Sequence, residues 1–448
     1  MLGNRNAAYG REITKLHEEF VRGDLQELAA DRKGVEIARR LCTTQAEFDL
    51  EVERGNPFTI GWTIACEIER TTHVTLSHEN AFSAVRHDFA QAQTDHCRLQ
   101  SSNGLFNEWV RRSLADLHMM VTPTEWGLYP YAGVPWFSTP FGRDGIITAL
   151  ELLWLYPQLA RGVLHFLAAT QATQVIPEQD AQPGKILHEM RGGEMAALGE
   201  VPFGRYYGSV DATPLFVLLA GEYYARTGDL AFVQSIWPNI DRAMQWIDQY
   251  GDIDGDGFVE YMRQTPEGLA QQGWKDSQDS VFHADGQLAA PPIALCEVQA
   301  YVYAARRHAA TLARLLDMPD RSERFEREAE TLRERFEQAY WDDELGIYVL
   351  ALDARKQPCR VRASNAGHCL FGAIANSERA ARTASKLVGE DLCVRLGGEV
   401  VVLLAPAADR VDDARDERPC AGHLGQQVEE GHDQRGGRRG DADGALAQ

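Results

Sequence analysis

From about residue 105 to 390, apolar residues recur at i, i+3 and i+4 in one segment after another. The segments 107–121, 144–156, 160–172, 213–228, 229–251, 293–316, 321–341 and 378–389 all carry this period, which predicts amphipathic helices. Two kinds of connection alternate between them. Those at Thr227–Asp229 and Asp317–Arg321 are tight, and Gly228 and Asp229 supply a helix stop and a cap. The stretches 121–144, 174–210, 251–291 and 341–365 are long and rich in glycine, proline, aromatics and charge. Short turns make antiparallel neighbours, and long loops in a compact helical domain carry function. The pattern predicts a mainly α fold of helical hairpins, an α/α barrel or toroid with its long loops at one end. An α-solenoid is the alternative, and the lack of a repeat of fixed sequence counts against it.

Residues 1–100 read differently. In "PFTIGWTIACEIE", Phe58, Ile60, Trp62, Ile64, Cys66 and Ile68 alternate with Thr59, Gly61, Thr63, Ala65 and Glu67. Period two over this length predicts a half-buried strand, so a partial N-terminal β domain with an irregular start is expected here. Residues 101–392 form the helical domain. Residues 393–448 are charged, glycine-rich and aperiodic, and are expected to be disordered.

The formal net charge of −21 argues against a nucleic-acid partner, whose phosphates require a basic surface. Eight scattered cysteines without a C-x-x-C pair fit reduced thiols better than a zinc site or a disulfide framework. No apolar run reaches membrane-span length, and the N-terminus has no signal-peptide core. A soluble, cytoplasmic protein is expected, with no cofactor.

The long loops carry the chemistry. "GVPWFSTPFGRDG" places Trp136 near Arg143 and Asp144 at a helix start. "GKILHEMRGGE" offers His188, Glu189 and Arg191, and "FGRYYGSVDATP" offers Tyr206, Tyr207 and Asp211. "QQGWKDSQDS" offers Trp274, Lys275, Asp276 and Asp279, and "ASNAGHC" offers Asn365 and His368. Rings that stack on C–H faces, with polar groups for hydroxyls, suit a saccharide. Glycoside cleavage further needs a proton donor and a second carboxylate. Any one loop has a plainer reading. Asp211, before Thr213 and Pro214, reads first as a helix cap.

Together, "VPWFSTPFGRDGIITALELL", "GKILHEMRGGEMAALGEVPFGRYYGSVDATPLFV", "DGDGFVEY", "GWKDSQDSVFHADG" and "SNAGHCLF" resemble the bacterial amylo-α-1,6-glucosidase, or glycogen-debranching-type, family over roughly residues 45–392. The resemblance implies an (α/α)6 six-hairpin toroid behind an N-terminal β-sandwich, and hydrolysis of α-glucosidic bonds with inversion. It implies Asp276 as general acid, Trp274 stacking on sugar, and Arg143 with Asp144 gripping the innermost ring. Burial beside Trp274 is expected to help Asp276 hold its proton, and Lys275 is expected to point aside. Asp279 is expected to support the loop. Trehalase-like and mannosidase-like hydrolases share the fold, and a non-catalytic carbohydrate-binding remnant is a further alternative.

Two stretches depart from these patterns. Asp252, Asp254, Asp256 and Gly257 match the start of an EF-hand loop, but Arg263 stands where the bidentate glutamate belongs. A turn, and no metal, is expected. At the C-terminal end, about nine of a toroid's twelve helices are countable. The general base that the resemblance implies should follow a Ser-Gly-Trp-Gly-like segment, where Val394-Arg395-Leu396-Gly397-Gly398 stands. Codons GTC CGG CTG GGG GGN, read one base later, give Ser-Gly-Trp-Gly. A reading-frame shift near Leu392 is therefore expected, leaving the general base absent and hydrolysis impaired. Sequencing the coding DNA tests it: absence of family-like sequence in the shifted frame would refute it.

Overall fold

The computed structural model describes residues 77–92, 97–192 and 204–388, together with Ala196 and Leu198. The alternating stretch at 58–68, the rest of the expected β domain before residue 77, and everything after Val388 lie outside the described residues. The chain divides between Val85 and Arg86. Helix α1 (His78–Ala92) spans that point, and all that follows concerns the second unit.

The described residues are mainly helical, and from Gly104 onward they form part of an α/α toroid. Helix α2 is Gly104–Met120, α3 Gly142–Leu152, α4 Pro157–Thr170 and α5 Ala212–Thr227. Helix α6 is Leu230–Trp246, α7 Cys296–Leu315, α8 Pro319–Ala339, α9 Asn365–Phe371 and α10 Ser377–Leu387. All eight segments with helical period are helices. The seven-residue α9, within the "SNAGHCLF" stretch, has no such period to announce it.

The tight connections make the hairpins. Gly228 stops α5 in the left-handed region (φ 68°), and the Asp229 side chain accepts from Phe232 N at 3.1 Å to start α6. Asp317 plays the left-handed part between α7 and α8 (φ 60°). Helix α5 is apolar on nearly every side from Ala212 to Gly221, which marks it as an interior helix, and it packs on α3, α4, α6 and α7. Helix α8 buries one stripe, Ser322, Phe325, Ala329, Leu332 and Phe336, against α7.

The long loops are more ordered than their composition suggests, because they pair with one another. Strands β1 (Val121–Thr124) and β2 (Gly127–Pro130) form a hairpin with Val121 opposite Pro130. Strand β3 (Ala294–Leu295) pairs with β6 (Ala351–Leu352), and β4 (Trp341–Asp342) with β5 (Ile347–Tyr348), all antiparallel. Single bridges join Phe141 to Glu189 and Glu189 to Tyr206, stitching the 121–144 loop to the 174–210 loop and folding the latter on itself.

Gly142 shows how tightly. A Cβ there would lie 1.9 Å from the Leu187 carbonyl oxygen, while its N–H donates to His188 O at 2.8 Å. Backbone cannot retreat as a side chain can, so Gly142→Ala is expected to destabilise the protein by at least about 2 kcal/mol, read as a fall in the urea midpoint.

Candidate functional site

Arg143 and Asp144 occupy the first turn of α3, facing the loop that precedes α5. Asp211 stands at the N-cap position of α5 but does not cap it. Its carboxylate instead accepts from Arg143 Nη1 at 2.9 Å and from Ser209 Oγ at 2.5 Å, and Ser209 Oγ accepts the Ala212 amide. The capping reading is thus corrected: the neighbouring serine caps, which releases the buried aspartate to hold an arginine 68 residues away. Arg143 Nη2 in turn lies 3.9 Å from Asp276 Oδ2. Burial works against the Arg143 charge, but Asp211, Asp144 and Asp276 together hold the guanidinium protonated.

The acids around this cation differ in environment. Asp144 is pushed up from the ordinary aspartate value by desolvation, with the Asp211 and Asp276 charges adding to it against Arg143. Glu189 is pushed up by burial, although Arg191 Nε donates to it at 3.2 Å. Asp276 itself is open, its side chain 53% exposed. The expected burial beside Trp274 is not found, because that ring turns the other way. Trp274 lies 5.5 Å from the His368 ring, and the Lys275 ammonium is 4.9 Å above its centre. One face of the indole is therefore taken by a side chain of its own loop. Lys275 is directed to Trp274, with Glu297 as the leading charge it senses. Asp279 is exposed.

Behind this loop is a group that sequence reasoning passed over. Glu297, in the first turn of α7, is fully buried, accepts from Asn365 Nδ2 at 2.8 Å and lies 3.6 Å from Cys296 Sγ. Desolvation pushes it up to about 7. His368 contacts Tyr301 OH through Nδ1 at 2.6 Å, and burial with nearby Lys275 pushes it down to about 4. Glu297 and Tyr301 are one turn apart on α7, and Asn365 and His368 nearly so on α9. The signal available in sequence was "LCEVQAYVY", where a glutamate interrupts an otherwise buried helical turn.

Three buried polar atoms at these residues, His188 Nδ1, Trp274 Nε1 and Asn365 Oδ1, have no hydrogen-bond partner among the described residues. A buried polar atom without a partner calls for an explanation, and a group kept to meet a ligand is one. His188 is pushed down to about 3 by burial and by Arg143, Lys185 and Arg191.

The structure therefore brings together Arg143, Asp144, Asp211, Trp274, Lys275, Asp276, Asn365 and His368, with Glu189 and Arg191 alongside. It does not leave Tyr206 and Tyr207 available. The Tyr206 hydroxyl donates to Asp180 Oδ2 and accepts from Leu269 N, both at 2.7 Å. The Tyr207 hydroxyl donates to Thr170 O at 2.7 Å. Both rings are buried, so their expected place against a ligand is corrected to a structural one. Trp136, by contrast, is 80% exposed.

The EF-hand-like loop is built around an internal cation. Lys356 Nζ lies 2.9 Å from Asp254, 2.8 Å from Asp256 and within hydrogen-bond distance of Glu260. Asp252 accepts the amides of Gly255 and Gly257. Asp252, Asp254 and Glu260 are close enough to share a metal ion, but the ammonium contacts two of these three. Glu260 is buried, so Lys356→Met is expected to cost about 3 kcal/mol of unfolding free energy by stranding its carboxylate. Chemical denaturation at pH 7 reads this directly.

No helix among the described residues is long and apolar enough to cross a membrane. Residues 142–398 match the family described as the mannosylglycerate hydrolase MGH1-like glycoside hydrolase domain. No curated protein sequence matches. Similar solved structures include a rhamnosidase from Klebsiella oxytoca with rhamnose bound, at 14% identity and TM-score 0.45, over 65% of this chain and 49% of that one. A GH78 rhamnosidase of Bacillus sp. GL1 shares 15% identity at TM-score 0.43, over 60% of this chain and 26% of that one. The GH63 mannosylglycerate hydrolase from Thermus thermophilus, in complex with Tris, shares 14% identity at TM-score 0.45, over 61% of this chain and 75% of that one. The chain thus spans half or less of the two rhamnosidases.

Proposed function

Because the chain belongs to the mannosylglycerate hydrolase MGH1-like glycoside hydrolase family, we propose that it is a glycosidase whose proton donor is Asp276. The observation that carries this reading is the convergence of Asp276, Asp144 and Asp211 on the single guanidinium of Arg143. In the proposed mechanism the Arg143–Asp211 pair is a fixed platform. Arg143 and Asp144 bind the hydroxyls of the innermost ring. Asp276, exposed beside them, donates its proton to the departing glycosidic oxygen. Excluding water from so open a carboxyl falls to the bound sugar, since the protein leaves it half in solvent.

The second carboxylate that inversion requires is not supplied by the buried acids. Asp211 is engaged by Arg143 and Ser209, and Glu297 is closed from solvent. On the resemblance to amylo-α-1,6-glucosidases, that carboxylate belongs after a Ser-Gly-Trp-Gly-like segment, in whose place Val394-Arg395-Leu396-Gly397-Gly398 stands. The chain as written is therefore proposed to bind an α-glucan at the Arg143 site and to cleave it slowly. A mannosidase-like reading is favoured by the family matched over residues 142–398.

Calorimetric titration of the Asp276→Asn variant separates these readings. Tighter binding of panose, an α-1,6-linked trisaccharide, than of an α-mannoside supports the glucan reading. The reverse order replaces it with the mannoside one, and binding of neither refutes the glycosidase assignment.

A further inference from the structure

An open cleft of about 640 Å³ is bordered by Met190, Arg191 and Gly192. Its volume is that of a small-ligand pocket, about 300–1,000 Å³. The β1–β2 hairpin forms one side, bringing Glu125 and Trp126 to its turn, and the 131–140 loop forms the other with Tyr131 and Trp136. These walls are braced from behind. Trp126 packs edge-on against Phe166 at 5.2 Å, and its carbonyl meets His165 Nδ1 at 3.2 Å. Arg191 Nη1 donates to the Trp136 carbonyl at 3.4 Å. Trp136, 80% exposed, stands in the chain beside exposed Val134 and Phe137, and clustered exposed apolar side chains of this kind mark a surface that receives a partner.

The chemistry of the lining narrows what that is. Arg191 is already paired to Glu189, and Glu125 adds a negative charge, so the cleft offers no surplus cation for a phosphate or carboxylate among the described residues. The rest of the lining is two indoles, a tyrosine, a phenylalanine, three prolines, a methionine, a glycine, three hydroxyl side chains and one carboxylate, a largely apolar surface with a few polar groups that suits the C–H face of a neutral polyhydroxy ring. Pro140 and Met190 line the cleft and are hydrogen-bonded to each other, and they adjoin the bridged pair Phe141 and Glu189, two residues before Arg143, so the cleft and the Arg143 site border the same stretch of chain.

We propose that this cleft is an accessory subsite for an uncleaved, neutral sugar unit of the same oligosaccharide whose terminal ring occupies the Arg143 site. The proposal rests on the glycosidase reading above, and it makes the preferred ligand an oligosaccharide rather than a simple glycoside. The test is calorimetric titration of the full-length Asp276→Asn protein with methyl α-D-glucoside and with maltopentaose, repeated with Glu125→Ala and with Trp126→Leu added. Maltopentaose is expected to bind at least about tenfold more tightly, a gain of about 1.4 kcal/mol. Both added substitutions are expected to erase most of that gain and leave methyl glucoside affinity unchanged, which also reports that the variants fold. Glu125, exposed at a turn, tests the point without touching the packing on Phe166. Methyl glucoside binding with no gain from length, or a gain that both substitutions leave intact, overturns the accessory subsite alone. Binding of neither sugar overturns the subsite and the α-glucan reading together.

Discussion

Replacing Arg143 with methionine is expected to destabilise the protein by about 3–5 kcal/mol, the cost of removing one partner of a buried ion pair. The size follows from what is left behind. Asp211 is wholly buried, and among the described residues Arg143 is its only cationic partner, at 2.9 Å. Without the guanidinium, the Asp211 carboxylate keeps only the Ser209 hydroxyl, and Asp144 and Asp276 lose the positive charge between them. The penalty is therefore one of stranded charge, which a second substitution can lift. Arg143→Met combined with Asp211→Asn is expected to recover more than half of the loss, although neither change restores a contact. Urea unfolding of the two single variants and the double variant gives the coupling. Strictly additive losses would show that the pair is not the support the geometry implies.

Glu297 should make stability depend on pH in the sense opposite to most carboxylates. In the unfolded chain it releases its proton near 4.5, while in the folded protein burial holds it to about 7, against Asn365 and with the Asp211 charge adding. Across that window the folded state binds more protons than the unfolded one, so the contribution of Glu297 falls as pH rises from 4.5 to about 7 and is flat above. The loss is about 3 kcal/mol. His188 and His368 act the other way. Buried and held neutral down to about 3 and 4, against an ordinary 6.5, they cost stability as pH falls below 6.5. Two histidines outweigh one glutamate between 4.5 and 6.5, so these three groups together place the maximum near 6.5. Comparing wild type with Glu297→Gln isolates the glutamate. The variant is expected to match wild type at pH 4 and to exceed it by about 3 kcal/mol at pH 8. A difference that does not change with pH would contradict a proton held at this site.

What could be read in the sequence, and what could not, divides by the range of the interaction responsible. Helix α8 was legible because Ser322, Phe325, Ala329, Leu332 and Phe336 repeat at helical spacing within one segment. The two-residue strands Ala294–Leu295 and Ala351–Leu352 have no period of their own and exist only because they meet. Among site residues, the 3.9 Å approach of Arg143 to Asp276 is set by the fold, and no spacing in the sequence announces it. The fate of Tyr206 and Tyr207 was not legible either, since their hydroxyls are consumed by Asp180 and Thr170, 26 and 37 residues away. Asp211 was read as a cap because local chemistry allows it, and Ser209, two residues earlier, took that place instead. Glu297 escaped notice because a carboxylate in a helix ordinarily faces water, and only the fold reveals that this one does not.

The central claim, an acid-bearing saccharide site with Asp276 as proton donor, is tested most directly by product release from an α-1,6-branched glucan with and without sodium azide. Azide attacks the anomeric carbon as an anion and needs no base to deprotonate it, so it takes the place of the activated water, while Asp276 still has to protonate the departing oxygen. Slow cleavage that azide accelerates, with formation of an inverted glycosyl azide, and its disappearance in Asp276→Asn is the predicted result. Cleavage that persists undiminished in Asp276→Asn, or none in any arm, would contradict the account.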